Sequence, residues 1–319
     1  MREYIVRRAL ATLPVLLGVS IIIFGLMRVL PGDVAAALLS TDEGGAAGTQ
    51  ETVQRLREEL GLHRPLHEQY LAWLGNALRG DLGFSYWFNR PVAAEIAQAL
   101  PVTLELALLG FLLSLIIALP IGILSAIRQD TWQDYAGRLF AIGGLSVPEF
   151  WVGTMMVLLP LWWFGWIPPV RFTPFFADPW ENLQQVGLPA LALGLNDAAS
   201  VMRLLRSQML EVMRQDYIRT AWAKGLRERT VIARHALKNA LIPVVTFLGI
   251  RAGRLLGGTV VLEQVFNLPG MGRLVVQAVV LKDYQVVQAV VLVFALAFVL
   301  VNLLVDLLYA WFDPRIRFT

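Results

Sequence analysis

Apolar residues in this chain gather into long runs instead of recurring at the short spacing of a soluble core. Ala9–Leu30 and Val286–Leu308 are two such runs. Each is long enough to cross a hydrocarbon layer of about 30 Å as a helix. Extending the same reading along the chain predicts six spanning helices, over 9–30, 101–127, 138–165, 186–208, 237–262 and 284–310. Within lipid a helix satisfies its backbone groups internally, whereas an open strand does not. The pattern therefore predicts an all-α membrane protein with six transmembrane helices.

The polar intervals divide the chain further. Residues 1–30 form an N-terminal tail and first span, 31–98 an external segment, 99–313 the transmembrane core and 314–319 a tail; the core includes a cytoplasmic loop over 209–238. Arg2, Arg7 and Arg8 precede the first apolar run as in a signal peptide. That run is too long for a signal h-region and lacks a small-residue cleavage site. It ends at Pro31-Gly32-Asp33 and is read as an uncleaved span. In the external segment, 42–49 is rich in Gly and Ala, and 51–60 reads as an amphipathic helix with Val53, Leu56 and Leu60 on one face. A second helix follows Pro65 and presents Leu66, Tyr70, Trp73 and Leu74 at helical spacing. This external helical insertion is expected to pack as a small cap.

Charge sets the orientation. Of the 27 Lys and Arg residues, 16 fall on the side that holds both termini, whereas the short opposite loops carry only Arg171, Arg273 and Lys282. This is the positive-inside bias and places both termini in the cytoplasm. It accounts for a pI near 9.4 without nucleic acid as a partner. The composition, 57% hydrophobic and 16% charged, fits a chain solvated mainly by lipid. With no cysteine and three histidines, disulfides and thiolate chemistry are excluded and no metal site is predicted.

Polar residues inside the spans stand out, because a charge at mid-bilayer costs about 2.5–3.5 kcal/mol on insertion scales. Asn196, Ser200, Arg203 and Ser207 lie along one stripe of the fourth span, and Asn302, Asp306, Tyr309 and Asp313 along one stripe of the sixth. In the fifth span Gly249, Gly253 and Gly257 recur every four residues, a ridge that permits close helix approach. Arg251 and Arg254 project from another side of it, with Asp197 and Glu263 as candidate partners. Asn196, Ser200, Arg203, Arg251, Arg254, Asn302 and Asp306 are thus candidates to line a hydrated path; for the two stripes, simple helix–helix bonding is an equal reading.

Between the fourth and fifth spans, Arg203–Lys238 carries nine bases against Glu211, Asp216 and Glu228, a net charge of +6. Asp216 is expected to N-cap a short helix, Tyr217–Lys224, that stops at Gly225. A second helical stretch from Arg227 leads into the fifth span and is expected to break near Pro243.

Here the sequence resembles a family. Asp216-Tyr217-Ile218-Arg219-Thr220-Ala221, then Lys224-Gly225-Leu226, then His235-Ala236-Leu237-Lys238-Asn239-Ala240-Leu241-Ile242-Pro243 is similar to the coupling loop of permeases in dipeptide/oligopeptide-type (peptide/nickel) ABC importers. The likeness covers nearly the whole chain. It includes Leu16-Leu17-Gly18-Val19-Ser20, Leu30-Pro31-Gly32-Asp33, Gly80-Asp81-Leu82-Gly83, Arg90-Pro91-Val92 and Leu100-Pro101-Val102-Thr103-Leu104-Glu105. It continues with Val265-Phe266-Asn267-Leu268-Pro269-Gly270-Met271-Gly272 and Asp313-Pro314-Arg315. The resemblance implies a type I ABC importer permease fold in a bacterial or archaeal inner membrane. It implies a second homologous permease subunit, two cytosolic ATPase subunits that bind ATP and Mg, and an external substrate-binding protein. It assigns Asp216, Tyr217, Arg219, Thr220, Ala221, Lys224 and Gly225 to the ATPase-coupling loop, its small residues allowing close docking. The glycine ridge is then expected near the subunit interface. Peptides are the implied substrate; nickel chelates, glutathione and oligosaccharides are alternatives. The chain departs from the general importer motif, which has an acidic residue where Arg219 stands and a Leu-Pro nearer the glycine than Pro243. Arg251 and Arg254 replace uncharged positions of the peptide-type pattern.

Other classes fit less well. No Gly-x-x-x-x-Gly-Lys-[Ser/Thr] loop occurs, so this chain is not an ATPase by that route, and it is expected to bind no cofactor itself. His63 and His67 form no His-Glu-x-x-His motif, and there is no Gly-x-Ser-x-Gly elbow. Asp197 and Asp306 could be imagined as a proteolytic aspartate pair, without motif support. An ion-coupled secondary transporter is the remaining competitor, and no internal duplication supports it.

Overall fold

In the computed structural model, residues 2–29 and 64–312 are described. The 42–49 stretch, the 51–60 segment, the Pro31-Gly32-Asp33 stop, Asp313 and the C-terminal tail lie outside the described residues, as do the side chains of Asp306 and Tyr309. The chain divides into two compact units, Met1–Val102 with Pro269–Val299, and Thr103–Leu268 with Leu300–Thr319.

In the first unit, α1 (Arg2–Val29) is followed by α2 (Leu66–Leu78), a two-stranded hairpin and the opening turns of α3 (Val92–Ile127). Pro65 precedes α2 with extended backbone, so the helix starts where its missing N–H matters least. The predicted apolar face of α2 packs on α1: Tyr70 and Trp73 sit 5.4 and 5.9 Å from the Phe24 ring, and Ser20 meets the Tyr70 hydroxyl at 2.8 Å. The hairpin pairs β1 (Phe84–Ser85) with β2 (Arg90–Pro91), Ser85 opposite Arg90. α10 (Met271–Val280) and the outer part of α11 (Tyr284–Phe312) complete a core of Val92, Ile96, Met271, Val286 and Val290. Gln285 accepts from the Phe84 N–H at 2.6 Å, leaving no room for a Cβ on Gly83, whose φ is +90°. The Gly80-Asp81-Leu82-Gly83 motif is therefore a backbone requirement of this corner.

The second unit is built around α6 (Pro179–Met213), which packs against α4 (Trp132–Ser146), α5 (Glu149–Phe164) and α9 (Lys238–Val265). Among the described residues, five helices are long and apolar enough to cross a membrane, six if the bent pair α4–α5 counts as one span. The third predicted span is thus not one helix. Pro148 forces Val147 into extended backbone, φ −97° and ψ 126°, and α4 and α5 meet at 99°. α6 begins seven residues before the predicted 186, because Asp178 accepts from the Trp180 and Glu181 N–H groups and Pro179 occupies the first helical position. Its first turns are polar and paired locally in part: Asn182 donates to the Thr173 carbonyl, and Thr173 N–H donates to Gln185. Hydropathy could not see that pairing.

Between α6 and α9 lie α7 (Asp216–Ala223), the single turn α8 (Glu228–Thr230) and a wide π-helical turn, Val231–Leu237. The expected break near Pro243 does not occur. α9 runs through Pro243, and the irregularity sits upstream in the π turn. Gly249 packs so closely on α11 that a Cβ there would fall on the Val305 γ-carbon, whereas Gly257 opens to empty space within the chain. Gly253 is buried. The tandem ridge is therefore split between an internal contact and an unfilled surface.

Candidate functional site

Two features of the second unit carry chemistry, the short helix α7 and a group of charges at mid-span. α7 is two-faced. Ile218 and Ala221 are buried with Leu205 and Met209 of α6, Val231 and Ala236 of the π turn and Ala240 of α9. On the opposite face Asp216, Tyr217, Arg219, Thr220 and Trp222 are exposed, the Arg219 side chain by 75%. Asp216 does not cap the helix: Gln215 holds that position and contributes no side-chain bond, while Asp216 opens the first turn and pairs with Arg219 at 3.3 Å. A carboxylate there still complements the helix N-terminus. Thr220 donates to the Asp216 carbonyl at 3.0 Å. Lys224 is the C-cap and Gly225 reverses the chain at φ +71°, letting Leu226 N–H reach the Ala221 carbonyl at 3.4 Å. Tyr217 accepts from Asn239 of α9 at 3.1 Å. Ala221 packs inward on its own chain, among Leu205, Val231 and Ala236. The helix is a polar, partly aromatic surface fixed to α6 on one side and α9 on the other.

The second feature lies near the middle of three spans. Arg251 pairs with Asp197, one of its two predicted partners, with both side chains largely buried, and its guanidinium lies 5.8 Å from the Phe247 ring. Glu263, the other predicted partner, is instead fully buried and accepts from Thr103 at 2.7 Å. Sequence reasoning missed Glu149, the first residue of α5, which lies within electrostatic reach of Asp197, Arg251 and Arg254. Its signal was the preceding Pro148, which breaks the predicted span and puts an acid at a helix start within it. Arg254 is exposed and forms no salt bridge among the described residues. Asn196 donates to the Gly144 carbonyl at 3.1 Å, tying α6 to α4, and Ser200 is buried. Arg203 is exposed one turn further on. Asn302 is half-buried. The fourth-span stripe thus includes both a helix-to-helix bond and an open end.

A further polar group, unforeseen from sequence, lies at the α3–α4 turn. Asp134 is fully buried and accepts from Ser125, from the Asp130 N–H at 3.0 Å, from Arg138, and from Arg206 of α6 at 2.6 and 2.7 Å. The Asp134–Arg138 spacing of four was its only trace in the sequence. It clamps the turn to α6, ten residues before α7 begins.

The family described as the binding-protein-dependent transport system inner membrane component matches residues 118–318, and the N-terminal region of such membrane components matches 1–107. A glutathione transport system permease protein of Pectobacterium atrosepticum is 43% identical over 318 residues, covering all of both chains. A dipeptide transport system permease protein of Alkalihalophilus pseudofirmus is 39% identical over 338 residues, again covering both in full. Among solved structures, an amino acid ABC transporter superposes with a TM-score of 0.52 at 16% identity, over 70% of this chain and 94% of that one. An inward-facing methionine ABC transporter gives 0.52 at 16%, over 69% and 96%. These two show the shared fold of type I importer permeases.

Proposed function

Since the chain belongs to the family of binding-protein-dependent transport inner-membrane components, we propose that it forms one half of a translocation pathway for small peptides, driven by ATP hydrolysis in separate cytosolic subunits through α7. The observation that carries this reading is the two-sidedness of α7, buried on α6 and α9 through Ile218 and Ala221 and presenting Arg219, Thr220 and Tyr217 outward. A rigid attachment to two spanning helices is what a partner needs to move them. The chain has no phosphate-binding loop, so ATP and Mg belong to the partner ATPases. The positive-inside bias supports cytoplasmic termini and a cytoplasmic α7. An inner-membrane setting is common to the family. A second homologous permease would cover the open face at Gly257, and an external binding protein would deliver substrate at the 31–98 side. Peptides are favoured because one full-length relative is named for dipeptides and another for glutathione, itself a tripeptide.

The test is reconstitution with the partner permease, both ATPases and the binding protein. Arg219→Glu and Gly225→Asp should leave the chain inserted and ATP hydrolysis measurable while uptake of dialanine per ATP falls at least tenfold. Normal coupled uptake in both variants would remove α7 from this role. Uptake by the chain alone, without ATPase, would overturn the importer reading.

A further inference from the structure

The mid-membrane charges consist of one closed pair and one open pair. Arg251 and Asp197 neutralise each other at contact distance, their side chains 17% and 9% exposed. Glu149 and Arg254, an acid and a base within electrostatic reach of each other, are joined by no salt bridge to any group among the described residues. On α9, Arg251, Arg254 and Gly258 fall at i, i+3 and i+7, one stripe of the helix. The Glu149 carboxylate lies beside the top of that stripe, 3.6 and 3.9 Å from where a Cβ on Gly258 would be. Arg254 lies one turn along the same face. The α4–α5 break at Pro148 is what brings Glu149 there, and it also places that carboxylate at a helix N-terminus.

Two opposite charges left unjoined near mid-span are costly unless water or a ligand meets them. Lipid cannot serve, so the exposed Arg254 faces a hydrated path or another protein. A closed Arg251–Asp197 pair beside it adds no net charge, and the pair Glu149–Arg254 adds none either. The site is therefore neutral overall but has one free pole of each sign. The complement of such a site is a zwitterion.

We infer that Glu149 and Arg254 are the mid-membrane specificity contacts for a zwitterionic substrate, Glu149 receiving its ammonium and Arg254 its carboxylate, with Arg251–Asp197 as the fixed support that positions Arg254's stripe. This rests on the peptide-importer reading and sharpens it: the permease selects for both free termini of a short peptide. Charge-assisted bonds of this kind are the strong ones. Because the two poles are separate, substrates lacking one terminus lose one contact and not the other.

The experiment uses the complete importer in lipid nanodiscs without the binding protein, so that delivery does not filter ligands. Saturation-transfer NMR is read on three probes, dialanine, N-acetyl-dialanine and dialanine amide; ATP-dependent uptake of dialanine is measured in parallel in proteoliposomes with the binding protein. Wild type should bind dialanine at least tenfold more tightly than either blocked form, since each blocked form forfeits one charge-assisted hydrogen bond. Arg254→Gln should lose that preference against the amide only, and Glu149→Gln against the acetylated form only; Arg254→Lys should retain most of it. Binding unaffected in both variants overturns the inference. So does full rescue of Arg254→Glu by Glu149→Arg, which marks an internal ion pair. A carboxylate of the partner permease that cross-links to a cysteine at 254 and whose neutralisation mimics Arg254→Gln equally for all three probes also overturns it. Absence of ATP-dependent dialanine uptake in wild type would instead defeat the peptide-importer reading, a result distinct from any of these.

Discussion

Asp134→Asn should be among the most destabilising isosteric changes in this chain. The carboxylate is fully buried and its two oxygens receive five donors, from Ser125, the Asp130 backbone, Arg138 and both ends of the Arg206 fork. In the variant one oxygen becomes an NH2 that faces N–H donors, and Arg206, only 18% exposed, is left without an anion. Removing one partner of a buried ion pair costs about 3–5 kcal/mol. Arg138 contributes little to that figure, because it is 39% exposed and keeps Asp130 at 2.9 Å. The expected loss is therefore near the lower end, about 3 kcal/mol. Unfolding in mixed micelles, followed by tryptophan fluorescence, measures it. Arg206→Gln and the double variant complete a cycle whose coupling should reach about 1–3 kcal/mol, as for residues in one network. Asp134→Asn within 0.5 kcal/mol of wild type, with an additive cycle, would refute the clamp.

Two further outcomes follow from the geometry. Burial pushes the Asp283 carboxyl above its ordinary range, against the hydrogen bond from Ser85, so folding favours its protonated form and the hairpin should gain stability as pH falls towards the acidic side and lose it as pH rises through the shifted value. Exchange protection of the Phe84 and Val92 amides, corrected for intrinsic rate, should show that slope in wild type and lose it in Asp283→Asn; an unchanged slope would rule Asp283 out. Gly249→Ala should cost about 1–3 kcal/mol by overpacking against Val305, while Gly257→Ala, with open space around it, should leave the melting of the isolated chain unchanged. Equal effects at both positions would contradict the close approach of α9 to α11.

Much was decided by sequence because lipid imposes a simple rule. An apolar run of about 20 residues has few options other than a spanning helix, so α1, α3, α6, α9 and α11 were legible, with ends in error where polar residues bond to the preceding loop, as at Asn182 and Gln185. The α7 segment was legible as well, since Gly225 needs φ +71° and Ile218 and Ala221 recur at helical spacing. What a local pattern cannot state is which polar group meets which across the spans. Asp134 and Arg206 are 72 residues apart, Arg251 and Asp197 54, and Thr103 and Glu263 160. Nor does a local pattern state that Ala221 lies buried among residues of α6 and the π turn. Glu149 fell inside the predicted third span, 138–165, with no role assigned; Pro148 bends that span through 99° and sets its carboxylate against α9. Hydropathy alone specified that these segments enter the membrane. Only packing decided which of their charges are cancelled and which are left open.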